Sequence, residues 1–324
     1  MNILYFKGSN LAQNPDLWAK TIGEYTEHHT AIVDWGKKIL SIWNKEQKKF
    51  INQDIAGSSV DFFDSLIKSF KFDFVHFNDT FIPFSNYRKK SLIHYHSSCK
   101  FRKTSLDYDG YKIANAPHVA NGDYSLEVKP ILWYPMDLNT KIYNSTNVID
   151  DKIIICYTPT RLDPFKKNNK VNMHSKGYSQ TISILEDLKN KYPNYIDYIF
   201  HTKTPKKTVL TSKSNSNIII DECITGNYHM SGLEGLAMGK MVIGWVNENN
   251  KKLFSTLFPE TNSFPYENVH IDNLKFYLED LIQNKKIDLV LQKGRESRLW
   301  MQKSWNLNKV INQMLAHYNE VLNK

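Results

Sequence analysis

Residues 221–244 set a Gly-containing turn, a Ser-Gly pair, an early glutamate and a closing glycine between two apolar runs. That order predicts a strand, a short helix opening near Ser231, a C-terminal cap at Gly239 and a further strand. The backbone N–H groups of Ser231 and Gly232 would then stand at a helix N-terminus, an anion site suited to a diphosphate. Glu234, in the first turn, can accept hydrogen bonds from ribose or sugar hydroxyls. The plainer reading is a helix with an N-terminal Ser, an early Glu matched to the macrodipole and a C-terminal Gly. Mechanics alone favour that reading slightly.

Other constellations are weaker. His94 and His96 are two apart, so on a strand they share a face, as a metal pair would. No third ligand stands at a convincing spacing, so one cleft histidine and one packed histidine are expected, and no metal. His76 reads as a core residue. Asp107-Tyr108-Asp109-Gly110 offers an Asp-x-Asp, for which a turn is a better account than a metal site. Arg295, Arg298, Trp300, Lys303 and Trp305 interleave cations and aromatics. They make either a nucleic-acid or lipid-headgroup surface or, the favoured reading, a last helix packed back onto the first domain through its tryptophans. No Gly-x-Gly-x-x-Gly follows the first strand, and neither a phosphate-loop signature nor a Gly-x-Ser-x-Gly elbow occurs. Dinucleotide dehydrogenases, phosphate-loop kinases and serine hydrolases are therefore disfavoured.

These residues need a scaffold, and 324 residues supply enough chain for two domains. Apolar residues make up 41% and charged residues 23%, the balance of a globular protein. The three cysteines, Cys99, Cys156 and Cys223, are scattered and predict reduced thiols in a cytosol-like compartment. No apolar run is long enough for a membrane span, and the start, Met1 followed by Ile3-Leu4-Tyr5-Phe6, lacks the pattern of a signal peptide. The expected location is cytoplasmic, with a peripheral place at the inner membrane face as an option. The net charge of +9 permits a polyanionic partner. Its lysines are spread among asparagines, so the charge bears weakly on the acceptor and not on the chemistry.

The chain alternates short apolar runs with amphipathic stretches. Strands are expected over 3–6, 31–33, 72–77, 92–95 and 130–133, with helices over 18–25 and 60–70. After residue 150 the pattern restarts. Strands are expected over 153–157, 195–200, 217–220 and 241–245, and helices over 181–191, 274–283 and 308–322. In the last helix Val310, Met314, Tyr318 and Leu322 form a ladder. The polar stretch 139–151 is the expected linker. Two Rossmann-like halves follow, over 1–145 and 146–324. In open parallel sheets ligands bind beyond the carboxyl ends of the strands.

Several segments, taken together, resemble one family. Residues 231–243, Ser-Gly-Leu-Glu-Gly-Leu-Ala-Met-Gly-Lys-Met-Val-Ile, resemble the nucleotide-sugar signature of the group 1, family 4-like glycosyltransferases. Asp73-Phe74-Val75-His76-Phe77-Asn78-Asp79 resembles their Asp-x-Val-His-x-His strand, and His94-Tyr95-His96-Ser97-Ser98 their His-x-His-Gly-Ser turn. Trp133-Tyr134-Pro135-Met136-Asp137-Leu138 resembles the segment that ends their first domain. Tyr157-Thr158-Pro159-Thr160-Arg161, followed by Lys176-Gly177, resembles the Arg and Lys pair of their second domain. The five segments keep the family's order over residues 3–265.

The resemblance implies an α/β GT-B fold: two Rossmann-like domains facing a central cleft, with the C-terminal helix packing back toward the first domain. It implies a retaining, metal-independent transferase that takes a sugar from a nucleotide-diphosphate sugar to a hydroxyl acceptor. The acceptor classes considered are a glycan, a lipid-linked glycan and hydroxylated DNA. It requires no cofactor beyond the donor substrate, and no stable protein partner is inferred. Arg161 and Lys176 would hold the diphosphate, Ser231 and Gly232 would offer N–H groups to it, and Glu234 would take the ribose. His96 would sit at the reacting sugar, with Gly8 and Ser9 on the acceptor side. The family often carries a glutamate eight positions before the second one. Here that position is Gly226, and Glu222 is the expected replacement. Met241 replaces a proline, Ser97 a glycine and Cys99 an acidic residue, and Lys166 or Lys167 could take the phosphate in place of Lys176. A non-catalytic nucleotide-sugar or polyanion-binding protein of the same fold is the alternative.

Overall fold

The structure is a computed structural model. It describes residues 1–7, 14–34, 37, 39–54, 72–79, 90–96, 110–120, 127–132, 135–143, 152–159, 177–261 and 264–323. The expected helix over 60–70 and residues Gly8, Ser9, Ser97, Cys99, Asp107, Asp109, Trp133, Arg161, Lys166, Lys167 and Lys176 lie outside the described residues.

The chain divides into two units: Met1–Met136 with Leu307–Lys324, and Asp137–Asn306. The division falls just ahead of the polar stretch 139–151 instead of within it. The Leu138 carbonyl already belongs to the second unit, where the Arg298 guanidinium donates to it at 2.9 Å.

In the first unit, strand β1 (Asn2–Lys7) leads through helix α1 (Asn14–Tyr25) to β2 (His29–Asp34), β3 (Ile39–Asn44) and β4 (Lys49–Asp54). Strands β5 (Phe74–Asn78), β6 (Ser91–Tyr95) and β7 (Tyr111–Asn115), the short helix α2 (Ala116–Ala120) and β8 (Lys129–Ile131) follow. The sheet order is β4-β3-β2-β1-β5-β6-β7-β8, parallel except that β3 runs antiparallel to both of its neighbours, β2 and β4. The hairpin β3–β4 and strand β7 do not stand out in the sequence. Their charged and amide residues interrupt any apolar run.

The pleat sends alternate residues to opposite faces. One face carries Leu4, Phe6, Val33, Val75, Phe77, Ile93 and Tyr95, a buried apolar cluster. The other carries Tyr5, His76 and His94, all without exposed surface. Trp18 of α1 meets the His94 ring edge-on at 6.5 Å.

The second unit begins with β9 (Ile153–Tyr157), as expected of an apolar run covered on both faces. Helix α3 (Tyr178–Lys191), β10 (Ile196–Phe200), α4 (Lys206–Ser214), β11 (Ile218–Ile220), α5 (Met230–Ala237) and β12 (Met241–Gly244) follow. The unit closes with α6 (Glu248–Leu257), β13 (Glu267–Asn268), α7 (Ile271–Gln283) and α8 (Ile287–Ser304). Its sheet is parallel throughout, in the order β10-β9-β11-β12-β13. Ile155, Tyr157, Leu185, Ile218, Ile243, Leu274 and Leu278 fill its core, each aliphatic side chain contributing roughly 2 kcal/mol.

Trp300 of α8 and Trp305, directly after it, are packed within the second unit. Trp300 stacks on Phe254 of α6 at 5.3 Å, and Trp305 on Phe258 at 5.6 Å. Arg298 is no surface cation either, since it donates to the Ala237 carbonyl at the end of α5 as well as to Leu138.

The last helix, α9 (Leu307–Leu322), returns to the first unit. It buries Val310, Ile311, Met314, Tyr318 and Val321. Leu322 is exposed, because a ladder of four-residue steps drifts around a helix of 3.6 residues per turn. The Tyr318 hydroxyl is 2.7 Å from that of Tyr5 and 2.8 Å from His76 Nδ1. Gln313 accepts from the Leu132 N–H, and Tyr111 donates to Glu320.

Burial holds His94 down to about 3 and His76 well below the ordinary histidine range. Both rings are neutral in the folded chain, whereas unfolding lets each take a proton as pH falls through ~6.5. Stability is therefore unaffected by these rings above that value and declines below it, by about 1 kcal/mol per histidine between about pH 6.5 and 5.5. Urea titrations at the two pH values should show this loss, and His94→Gln should shrink it; an unchanged pH dependence in that variant contradicts the account.

Candidate functional site

In the second sheet the chain turns from β9 to β10 on one side and then to β11 on the other. Between β9 and β11 lies the point where the winding reverses, and loops beyond the strand ends part there. Thr158 follows β9, and the segment 221–229 follows β11. Helix α5 opens at this place, and the Ser231 hydroxyl lies 2.9 Å from that of Thr158.

An eight-residue helix is too short to hold its own position. Contacts from more than one side fix its start. Asp221 accepts the His229 N–H at 2.7 Å and the Tyr266 hydroxyl at 3.0 Å on the same carboxylate oxygen. Tyr266 lies so close to Gly232 that a Cβ there would stand 1.8 Å from its hydroxyl oxygen, so residue 232 must be glycine. On another side Lys213 of α4, 1% exposed, donates to Glu234 Oε2 at 2.6 Å and to the Ser231 carbonyl at 3.2 Å. Lys206 stands 3.8 Å from Glu234 Oε1.

The first turn itself has no side-chain cap. The residue before it, His229, is extended and gives its own N–H to Asp221. The first helical hydrogen bond is from Leu233 N to the His229 carbonyl. The N–H groups of Ser231 and Gly232 precede that bond, at the positive end of the helix dipole. The expected helix start, the left-handed Gly239 after the helix (φ 69°) and the placement of Ser231, Gly232 and Glu234 in one turn are all present.

Glu222 is a correction. Its Oε2 accepts from the N–H groups of Ile224 and Thr225 (3.1 and 2.8 Å), and its Oε1 from the Thr225 hydroxyl and the Asn227 N–H (2.7 and 3.0 Å). Four donors use the acceptor positions of a fully buried carboxylate. Glu222 shapes its own loop and leaves nothing for a sugar.

In the first unit the winding reverses between β1 and β5. His96 follows β6, next to β5, and is tied to three residues at the ends of β5 and β7. Its Nε2 is 2.8 Å from Asn78 Oδ1, its N–H donates to Asp79 Oδ1 at 2.8 Å, and its carbonyl accepts from Asn115 Nδ2 at 3.3 Å. The His94 ring lies 3.9 Å away, centroid to centroid. His94 is the packed histidine of the pair, its Nε2 bonded to Asn115 Oδ1 at 3.0 Å. His76 is buried as expected.

Among the described residues no group of three or more His, Cys, Asp or Glu side chains is placed to hold a metal ion. Cys156 and Cys223 are buried free thiols. Burial pushes Cys156 up to about 11 and Cys223 well above the ordinary thiol range, so neither is a thiolate nucleophile. Burial draws Lys240 down to about 8, and it donates to the Ser214 carbonyl at the end of α4.

Residues that the sequence did not single out for the site are Thr158, Lys213, Tyr266 and Asn115. Thr158 follows a strand end, which is a usable signal. Lys213 sits in a polar run and looks like any solvated lysine.

No protein-family model and no curated protein matches this chain. Solved structures do. The chain is similar to a glycosyltransferase from Rickettsia africae, at 16% identity and a TM-score of 0.64, over 99% of this chain and 98% of that one. It is similar to sucrose-phosphate synthase from Thermosynechococcus elongatus, at 12% and 0.59, over 100% and 99%. It is similar to HepE of Anabaena, crystallised in complex with UDP, at 9% and 0.57, over 99% and 100%. At these identities the likeness is one of fold, and the fold is GT-B. Among the described residues no helix is long and apolar enough to cross a membrane.

Truncating Lys213 would leave the Glu234 carboxylate buried beside a more distant lysine. Lys213→Met should therefore cost about 3 kcal/mol or more, and the pair Lys213→Met with Glu234→Leu distinctly less. Denaturant unfolding of the three proteins decides this; a single variant as stable as the double one would refute the coupling.

Proposed function

We propose that the protein is a glycosyltransferase that moves a sugar from a nucleoside-diphosphate sugar to a hydroxyl acceptor of the glycan class. The observation that carries this reading is the uncapped start of α5 at the reversal point of the second sheet, with Ser231 tied to Thr158 and Glu234 in the same turn. A pyrophosphate suits the N–H groups of such a turn and its dipole. The UDP in the structure of Anabaena HepE is a ligand of that class on the same fold.

In this reading the leaving nucleoside diphosphate gains negative charge as the sugar bond breaks. The helix start, Arg161 and Lys176, or Lys166 or Lys167 in place of Lys176, stabilise it. Because these donors and cations are supplied by the protein, the reaction is assigned as metal-independent. Glu234 takes the ribose hydroxyls, with Lys213 holding the carboxylate in place. His96 of the first unit accepts a hydroxyl at the reacting sugar, and Gly8 and Ser9 line the acceptor side. Retention of configuration is the stereochemical outcome in this reading. The family's first glutamate has no counterpart, since Gly226 holds its position and Glu222 is engaged elsewhere. Contact to the transferred sugar therefore falls to neutral groups.

A thermal-shift series with UDP-, GDP-, ADP- and TDP-sugars should yield one stabilising donor, worth about 2.7 kcal/mol at ~100 times its dissociation constant. That donor should release free nucleoside diphosphate with acceptor present. Arg161→Ala should lower turnover by 100-fold or more, on the order of an electrostatic donor removed from a transition state. Glu234→Asp is the proper partner variant, because it shortens the reach to a ribose while keeping the charge that pairs with the buried Lys213. Binding without release identifies a nucleotide-sugar-binding protein instead, and no binding to any of the four removes the reading.

A further inference from the structure

We infer that Asn78 is a positioning residue that fixes His96 as the Nε2–H tautomer, so that its Nδ1 is the ring's hydrogen-bond acceptor. The argument begins with the amide of Asn78, which is fully buried. Its Nδ2 lies 3.1 Å from the Phe6 carbonyl and 3.1 Å from the His76 carbonyl. Carbonyl oxygens only accept, so the NH₂ group must face them and Oδ1 must face away. Oδ1 then meets His96 Nε2 at 2.8 Å. An amide oxygen cannot donate, so the proton on that line belongs to the imidazole. In the neutral ring the lone pair is left on Nδ1.

The backbone of His96 is held as firmly as its ring. Its N–H is bonded to Asp79 Oδ1, and its carbonyl to Asn115 Nδ2. Asp79 adopts the left-handed conformation, with φ 55°, at the end of β5, a conformation aspartate tolerates at modest cost. Asn78, His96 and Asn115 stand on one face of three adjacent parallel strands. Among the described residues, the titratable groups in contact with His96 are His94, against its ring, and Asp79, at its N–H.

The consequence is chemical. A neutral His96 of this tautomer carries a lone pair at Nδ1 and offers no N–H there to a phosphate oxygen. It is suited to a sugar or acceptor hydroxyl and not to the diphosphate. Only the identity of that hydroxyl rests on the transferase reading; the tautomer itself does not.

The test uses the full chain with no donor or acceptor, so its outcome is independent of whether sugar is transferred. Histidine ¹⁵N–¹H correlation spectra above about pH 7.5 distinguish the tautomers, with His96→Gln assigning the resonance. The expected result is Nε2–H for His96 in the native protein, a mixture or reversal in Asn78→Leu, and a titration midpoint raised by about 1–3 pH units in Asn78→Asp, where a carboxylate favours the imidazolium. Asn78→Leu leaves buried carbonyls without a donor; should it fail to fold, the native spectrum and Asn78→Asp decide. Nδ1–H in the native protein, or an unchanged tautomer in folded Asn78→Leu, overturns the proposal.

Discussion

A lysine buried beneath the first turn of α5 is the constraint on which the second unit's site depends. Lys213 and Glu234 are almost wholly removed from water, and neither charge is tolerable there without the other. Their pairing fixes the spacing of α4 and α5. The bond from Lys213 to the Ser231 carbonyl then sets the rotation of α5 about its axis. Asp221, Tyr266 and Gly232 close the opposite side. Apolar residues of equal volume would hold the helices together at least as strongly. What the polar contacts add is a defined position for the start of a helix too short to define its own.

The first unit meets the same need with neutral groups. Tyr5, Tyr318, His76, His94, Asn115, His96 and Asn78 form a hydrogen-bonded and stacked assembly across one face of its sheet. No charge is buried among these seven side chains, which avoids the desolvation that Lys213 and Glu234 incur. The cost appears elsewhere: His76 Nε2 and His94 Nδ1 are buried without a hydrogen-bond partner. Burial keeps both histidines neutral, and that neutrality lets them lie against one another and His76 against Tyr5. Docking α9 on this face supplies Tyr318, so a residue 242 positions later in the chain completes the arrangement around His76.

Much of this architecture is legible in sequence where burial imposes a pattern. Ile153 to Tyr157 is apolar because both faces of β9 are covered, and the strand runs over those residues. The Ser-Gly-x-Glu start of α5 is legible because the turn needs those residue types. Strand β7 and the β3–β4 hairpin escape the same reading because their lysines and asparagines break any run of apolar residues. Lys213 escapes for a deeper reason: in a chain with 42 lysines and arginines, nothing local separates a buried cation from a solvated one. Burial is decided by Glu234, on another helix. Trp300 and Trp305 show the converse. Their types predict burial correctly, but which surface covers them depends on α6, whose sequence gives no hint of that partnership.

The loop after β11 shows how a departure from a family pattern can be structural and not a lone substitution. Gly226 has φ 80°, and a Cβ there would stand 2.7 Å from Asn247 Nδ2. A glutamate could not occupy the position with this backbone. The Gly226 carbonyl accepts from Asn247 N and from Asn250 Nδ2, and Asn227 N is drawn to Glu222. These bonds turn the loop inward on itself. Glu222 is therefore no displaced version of the missing glutamate; it is the reason the loop closes without one.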